Sequence, residues 1–403
     1  MLKLALRNVF RHKLRTGMTL AAIVFGVVGL VLSGGFVEDV YYQLGETFIH
    51  SQSGHLQVSR ADFHASGTRS PDKFLIDSPE PLRKLLLAQP QVDDVMARIS
   101  FSGLVSNGRS DWPIVGEGVE PDKEARLGTH IFMIEGRPLA KSDGYGIVIG
   151  GGVAHALKLR PGDRVTLLLN TAEGALNSLE FTVVGLFKSF SKDYDARAVR
   201  IPLAAAQELL GTQGVNSLVV SLKRTEDTQQ VADKLRRQID SRTYEVLRWE
   251  ELNDFYARAV ELYQRQFGVL QFIILVLVLL SVANSVNMSV FERVGEFGTM
   301  MALGNRSGAV FRLVLSENAL LGLIGGLLGV VFGLILAWVI SAIGIPMPPP
   351  PGANLGYTAH IRVLPDTLLM AFGVGFCATL LAALFPARRV SRIPVSEALL
   401  QNY

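Results

Sequence analysis

Four long apolar segments limit what this chain can fold into more than any other feature of its sequence. The hydrocarbon core of a bilayer is about 30 Å thick, so a helix that crosses it needs roughly 20 residues without exposed charge. Residues 16–37, 266–291, 311–345 and 367–387 meet this requirement. We therefore predict a membrane protein with four transmembrane helices.

The positions of Lys and Arg predict how these helices are oriented. Basic residues flank the start of the first segment, the loop after the second and the end of the fourth: Lys3, Arg7, Arg11, Lys13, Arg15, Arg293, Arg306, Arg312, Arg388, Arg389 and Arg392. The loop between the third and fourth segments has only Arg362. Because cytoplasmic loops carry the excess of Lys and Arg, we expect both termini and the middle loop to be cytoplasmic.

A large domain is predicted on the other side of the membrane, over residues 45–248. Residues 38–265 contain 27 basic and 31 acidic residues, a net charge of −4. Because the whole chain has a net charge of +3, the residues outside this range carry +7. Helix and strand patterns alternate in this domain, which predicts an α+β fold, with a β-rich inserted lobe at about 146–210. No stretch combines clustered basic residues with aromatic ones, which argues against a nucleic-acid partner.

Several kinds of chemistry lack their sequence signatures. No Lys is preceded by Gly, so the chain has no P-loop for ATP. The seven His residues show no metal-ligand spacing, and no nucleophile motif is present. One cysteine, Cys377, cannot form a disulfide within the chain. We predict no catalytic residue, no metal site and no cofactor in this chain.

The third apolar segment has two features that bear on packing. Overlapping Gly-x3-Gly repeats, which let helices approach closely, are formed by Gly322, Gly325, Gly326, Gly329 and Gly333. This pattern predicts packing within one chain or between two copies. Glu317 lies near the start of the segment, where an acid is costly unless it is paired or reaches the interface. Arg312 and Arg293 are its candidate partners.

The most informative stretch, residues 292–305, follows the second segment directly. It resembles the Glu-Arg-x-x-Glu-(Ile/Phe)-Gly-x-x-x-Ala-(Leu/Val)-Gly pattern of the MacB/FtsX/LolC-type ABC permease family. Residues 4–16, 316–326, 385–389 and 394–399 are similar to further motifs of that family, in the same order. Residues 54–58 and the proline-rich loop 345–352 resemble its LolC/LolE-like branch. On composition alone, residues 292–305 are equally typical of a solvated turn.

The resemblance implies a domain organisation and a site. The predicted segments are an interfacial helix 1–15, a first span and stalk 16–44, the domain 45–248, a stalk and second span 249–291, a coupling helix 292–306, a third span 308–345, a periplasmic loop 346–365, a fourth span 366–387 and a tail 388–403. The residues expected to couple to an ATPase are Glu292, Arg293, Glu296, Phe297, Gly298, Met301, Leu303 and Gly304. Glu317 is expected to have a structural or coupling role.

The resemblance also implies partners and a function. ATP and Mg would be bound by a separate ABC ATPase, present in two copies. A second permease copy or a paralogue is expected, in the inner membrane of a bacterium, with the large domain in the periplasm and with a periplasmic adaptor or carrier protein as a further candidate partner. The expected function is export or extraction of a lipoprotein or another amphipathic substrate. An FtsX-like signalling subunit that activates a periplasmic hydrolase is the alternative, and a receptor without any ATPase is a third hypothesis.

Overall fold

A computed structural model describes residues 13–66, 71–171, 174–349, 353–354 and 356–394. By internal contacts, the chain divides into a helical unit (Met1–Tyr41, Val260–Pro346 and Thr358–Tyr403) and an α/β unit (Tyr42–Ala259 and Met347–Tyr357). Most of the predicted interfacial helix 1–15 and the tail beyond residue 394 lie outside the described residues. Both therefore stay predictions.

The α-helices are numbered in chain order over the described residues. They are α1 Lys13–Phe48, α2 Phe63–Ser66, α3 Pro79–Leu87, α4 Pro121–Leu127, α5 Gly151–Leu157, α6 Lys192–Asp195, α7 Leu203–Leu210, α8 Thr228–Gln238, α9 Asp254–Glu292, α10 Val294–Ala302, α11 Ser307–Ile343 and α12 Pro365–Val390. A π-helical turn, Ile49–Ser53, follows α1.

Four of these helices, α1, α9, α11 and α12, are long and apolar enough to cross a membrane. Their outward faces carry large exposed apolar side chains, for example Phe25 at 82% exposure and Trp338 at 74%. A soluble protein would not expose so much apolar surface, whereas lipid tails accept it. Inside the helical unit, buried valines and alanines form one apolar cluster. The predicted four-helix membrane part is confirmed.

The strands are also numbered in chain order. They are β1 Leu56–Arg60, β2 Val92–Ser106, β3 Asp111–Val119, β4 Phe132–Gly136, β5 Gly146–Gly150, β6 Arg164–Asn170, β7 Leu176–Lys188, β8 Ala198–Pro202, β9 Ser217–Leu222, β10 Tyr244–Arg248, β11 Ile345–Met347 and β12 Tyr357–Ala359.

One mixed sheet forms the centre of the α/β unit. Its order is β10-β1-β9-β2-β3-β8-β5-β7-β4, and β6 pairs with both β2 and β7. The β3–β8 and β5–β7 pairs are parallel, and the other pairs along this order are antiparallel. Amphipathic helices cover the sheet, such as α8, which buries Val231 and Leu235. The predicted α+β domain is thus confirmed.

The two predicted lobes correspond to two apolar clusters that share this sheet. One cluster centres on Phe181 and Ile149, and the other on Leu56 and Leu235. However, the strands of the predicted insertion, 146–210, do not form a sheet of their own, because β6 pairs with β2 and β8 pairs with β3. The strands of the predicted inserted lobe therefore belong to a continuous sheet that has two cores.

Candidate functional site

The segment that links α9 to α11 contains a break that the sequence pattern did not predict. Helix α9 ends at Glu292, Arg293 leaves helical geometry at φ −107° and ψ 12°, and α10 begins at Val294. The resemblance had implied a coupling helix over residues 292–306. After α10, Gly304 has φ +92°, a conformation that glycine adopts without strain. Its N–H donates to the Met301 carbonyl at 3.0 Å.

A buried ion pair holds Arg293, the residue at the break. Arg293 Nη1 donates to Glu317 Oε2 at 2.6 Å, and Nη2 donates to Oε1 at 3.1 Å. Both residues are 7% exposed. Parallel bonds from one guanidinium to one carboxylate are strong and directional. Of the two partners that the sequence left open for Glu317, the structure pairs it with Arg293, whereas Arg312 donates to the Gly308 carbonyl at 3.2 Å.

Two further contacts hold Arg293 on α10 itself. Its Nε donates to Glu296 Oε2 at 3.1 Å, and its guanidinium lies 5.0 Å from the centre of the Phe297 ring. Burial by itself lowers the pKa of Arg293, but the hydrogen bonds to Glu317 and Glu296 outweigh this and raise it. The side chain therefore stays charged, and it joins α9, α10 and α11 at one point.

Phe297 anchors the inner side of α10. It is 1% exposed and belongs to the same apolar cluster as Val310 and Leu313 of α11. Phe297 was predicted to couple to an ATPase, and the structure places its ring in the core of the helical unit.

The outer side of the segment presents an exposed stripe, which we define as Glu292, Glu296, Thr299 and Leu303. All four are exposed, and Leu303 is 81% exposed. Glu296, Thr299 and Leu303 are spaced by three and four residues, as on one face of a helix, and Glu292 precedes them at the end of α9. Leu303 thus adds a large exposed apolar side chain to the acidic and hydroxyl groups of the stripe.

The residues predicted to couple to an ATPase thus fall into two groups. Glu292, Glu296, Leu303 and Gly304 are exposed, Met301 is half-buried, and Arg293, Phe297 and Gly298 are buried. The buried group packs inside the helical unit, and the exposed group lies at its surface. Thr299 was missed, although its spacing from Glu296 and Leu303 indicates the same face. The role of these residues in coupling stays a prediction.

The five glycines of α11 pack against two other helices of the same chain. A Cβ added at Gly325, Gly329 or Gly333 would lie 2.9, 2.6 or 3.1 Å from side chains of α1. At Gly322 and Gly326 it would lie 3.2 and 2.8 Å from side chains of α12. The structure therefore assigns this pattern to packing within the chain. Among the described residues, no group of His, Cys, Asp or Glu side chains is arranged to hold a metal ion.

Two family models match the chain. Residues 16–238 match the MacB-like periplasmic core domain, and residues 268–395 match the FtsX-like permease C-terminal region. The chain belongs to the MacB/FtsX/LolC-type ABC permeases. The buried pair and the exposed stripe of this permease lie in the part that matches the FtsX-like model.

Individual relatives agree with this family. The permease is 27% identical to the uncharacterized ABC transporter permease MJ1507 of Methanocaldococcus jannaschii, over 66% of this chain and 64% of that one. It is 24% identical to the lipoprotein-releasing system transmembrane protein LolC of Neisseria meningitidis serogroup B, over 95% and 93%. The solved structure of the periplasmic region of MacB from Actinobacillus actinomycetemcomitans is 14% identical to the permease, with a TM-score of 0.37. The match covers 50% of this chain and 91% of that one.

Proposed function

We propose that this permease transmits ATP-driven movement of a separate ABC ATPase to its α/β unit, and that this movement exports or extracts a lipoprotein or another amphipathic substrate. The observation that carries the proposal is the exposed stripe on α10, because α10 is fixed to the membrane helices from its other side by the Arg293–Glu317 pair. A partner that pushes on the stripe would move the ends of α9 and α11 with it.

The charge pattern supports a cytoplasmic position for α10. Lys and Arg flank the ends of the membrane helices that lie near α10, which favours the cytoplasmic side, where ATP is available. The chain itself lacks the phosphate-binding loop of an ATPase, so ATP and Mg would be bound by the partner. We propose two ATPase copies and a second permease copy or paralogue, with the α/β unit in the periplasm of a bacterium.

The long helices provide a path for the movement. Helix α1 is continuous from Lys13 to Phe48 and α9 from Asp254 to Glu292, so each spans the boundary between the helical and the α/β unit. Close packing of the α11 glycines on α1 leaves little room for these helices to slide independently. A displacement at α10 would therefore reach both connections to the α/β unit.

The cargo is proposed from the relatives. The name of LolC states that it belongs to a lipoprotein-releasing system, and the match to LolC extends over nearly the whole chain. A lipoprotein is amphipathic, with acyl chains that leave a bilayer only against a large free-energy cost. An energy-driven subunit with a large domain outside the membrane is suited to this work.

Co-purification tests the proposal. We expect the parent permease, solubilised from its own membranes, to retain an ABC ATPase, and Leu303→Asp to lose it. Leu176→Asp is the matched control, because Leu176 is also an exposed leucine (72%) but lies in the α/β unit. Retention of the ATPase by Leu303→Asp, or its absence from the parent, would overturn the docking assignment. Activation of a cell-wall hydrolase without movement of lipoprotein would instead show signalling.

A further inference from the structure

A cavity of about 180 Å³ in the α/β unit has the properties of a binding site. Its walls come from β3, α4, β4 and the strands behind them, and most of them are apolar: Val119, Ala125, Ile131, Met133, Leu139 and Phe187. Ala125 is exposed and Phe187 is fully buried, so the cavity runs from the surface inward. A concave apolar site with a few fixed polar groups is the usual form of a small-molecule pocket.

Two charged side chains, Arg200 and Glu124, also line the cavity. They are 3% and 7% exposed, and Arg200 Nη1 donates to Glu124 Oε1 at 2.9 Å. Arg98 donates to the same carboxylate at 2.7 Å, and Glu117 Oε2 accepts from Arg200 Nε at 3.1 Å. Two arginines and two glutamates balance in charge. The polar part of the cavity therefore has no net charge with which to select an ion.

The same arginines hold the turn that follows α1. Arg200 Nη2 donates to the Ser51 carbonyl at 3.0 Å, and Arg98 Nη1 donates to the Gln52 carbonyl. Both carbonyls belong to the π-helical turn Ile49–Ser53. Carbonyl groups at the end of a helix carry partial negative charge and favour a cation beside them. Arg200 thus contacts the cavity on one side and the end of α1 on the other.

We propose that this cavity binds the end of an unbranched aliphatic chain, and that Arg200 connects its occupancy to the turn after α1. An engineered apolar cavity of about 150 Å³ holds a benzene molecule, so 180 Å³ is sufficient for roughly six to eight carbon atoms. Met133 adds an adaptable wall that fits a flexible chain. Because the lining residues Ala125 and Pro138 are exposed, the polar part of an amphipathic ligand can stay in water.

The source of the bound aliphatic chain rests on the proposed function: it is the acyl group of a lipid or of an acylated polypeptide. Binding itself requires no ATPase. Failure of the ATPase to co-purify and failure of the cavity to bind are therefore separate results.

Methionine-methyl NMR on the full permease in lipid nanodiscs tests the site. The probe is octan-1-ol, with octane-1,8-diol as a control that has a second polar end. We expect octan-1-ol to shift the Met133 methyl signal, which Met133→Leu identifies, and Ala125→Trp to weaken binding by about tenfold or more because the indole fills the mouth. Asp122→Trp is the matched control on an exposed position of α4 and should bind as the parent does.

Two further probes distinguish the source of the bound aliphatic chain. Dihexanoylphosphatidylcholine represents a lipid and an N-octanoyl peptide represents an acylated polypeptide, and the tighter of the two identifies the class. No shift with any probe, or an equal shift in Ala125→Trp and the parent, would overturn the site.

Hydrogen exchange at Gly54 tests the link to α1. The Gly54 N–H donates to the Ile49 carbonyl at 3.0 Å and reports on the turn. We expect octan-1-ol to change its exchange rate in the parent and not in Ala125→Trp. An unchanged rate while the Met133 signal shifts would overturn the connection through Arg200.

Discussion

Removing Glu317 is the sharpest perturbation of the buried pair at α10. Glu317→Ala leaves Arg293 charged and 7% exposed, and loss of one partner of a buried ion pair costs roughly 3–5 kcal/mol. Glu296 remains 3.1 Å from Arg293, but its side chain is 47% exposed, so it offsets at most about 1 kcal/mol. We expect the free energy of unfolding to fall by about 3 kcal/mol.

A double variant distinguishes the cost of an unpaired buried charge from the cost of losing the ion pair itself. Replacing both partners, Arg293→Met with Glu317→Leu, removes the unpaired charge and should return stability to within about 1 kcal/mol of the parent. Glu261→Ala is the control, because it breaks an exposed pair with Arg265 at 2.5 Å and should cost less than about 1 kcal/mol. The assay is unfolding by SDS in mixed micelles, followed by circular dichroism. A Glu317→Ala variant as stable as Glu261→Ala would refute the reasoning.

Two other predictions concern packing and pH. Gly329→Ala places a Cβ 2.6 Å from a valine of α1 and should cost about 1–3 kcal/mol, whereas Gly373→Ala, with nothing within 4 Å, should be neutral or stabilising; SDS unfolding compares them. His55 Nδ1 accepts the Leu222 N–H at 3.1 Å, and burial, then the charge of a neighbouring histidine, lower the pKa of His55 to about 4. The unfolded chain therefore binds a proton at His55 more tightly than the folded chain does. The free energy of unfolding is highest above about pH 6.5 and should be lower by about 2 kcal/mol at pH 5. In thermal unfolding, the stability of His55→Gln should depend less on pH than that of the parent. The stability of His155→Gln, a change at an exposed histidine, should depend on pH as the parent does.

The membrane part could be predicted from the sequence because the bilayer imposes a length and a polarity on each helix. The glycine pattern of α11 also predicted close packing, since it depends only on spacing along one helix. Which helices the glycines contact depends on side chains far away in the sequence, such as Val27 and Phe372. The sequence therefore left packing within the chain and between copies equally open.

The α/β unit shows where local patterns are insufficient. The strand patterns in this domain correspond to strands such as β2, β6 and β7. Their pairing is non-local, for example Val95 with Val220 and Leu104 with Leu168. A pattern of alternating residues identifies a strand but not its neighbours, so the sequence did not show that strands of the predicted inserted lobe pair with β2 and β3.

At the candidate site, the motif identified the right segment but not the orientation of its residues. Phe297 is 1% exposed, whereas Glu296 and Thr299 of the same short helix are exposed. Arg293, the residue at the break, is paired with Glu317, which is 24 residues further along the chain. Burial of the pair is a tertiary effect that helical spacing cannot show.

A distance measurement between two permease copies tests the central claim most directly. Spin labels at Arg109→Cys, an exposed position of the α/β unit, in a Cys377→Ala background, would report movement of that unit in the complex with its ATPase. We predict that ATP and Mg shift the distance distribution in the parent, and that Glu317→Ala removes the shift while the ATPase stays bound. A shift that persists unchanged in Glu317→Ala, or no shift in the parent, would contradict transmission through α10.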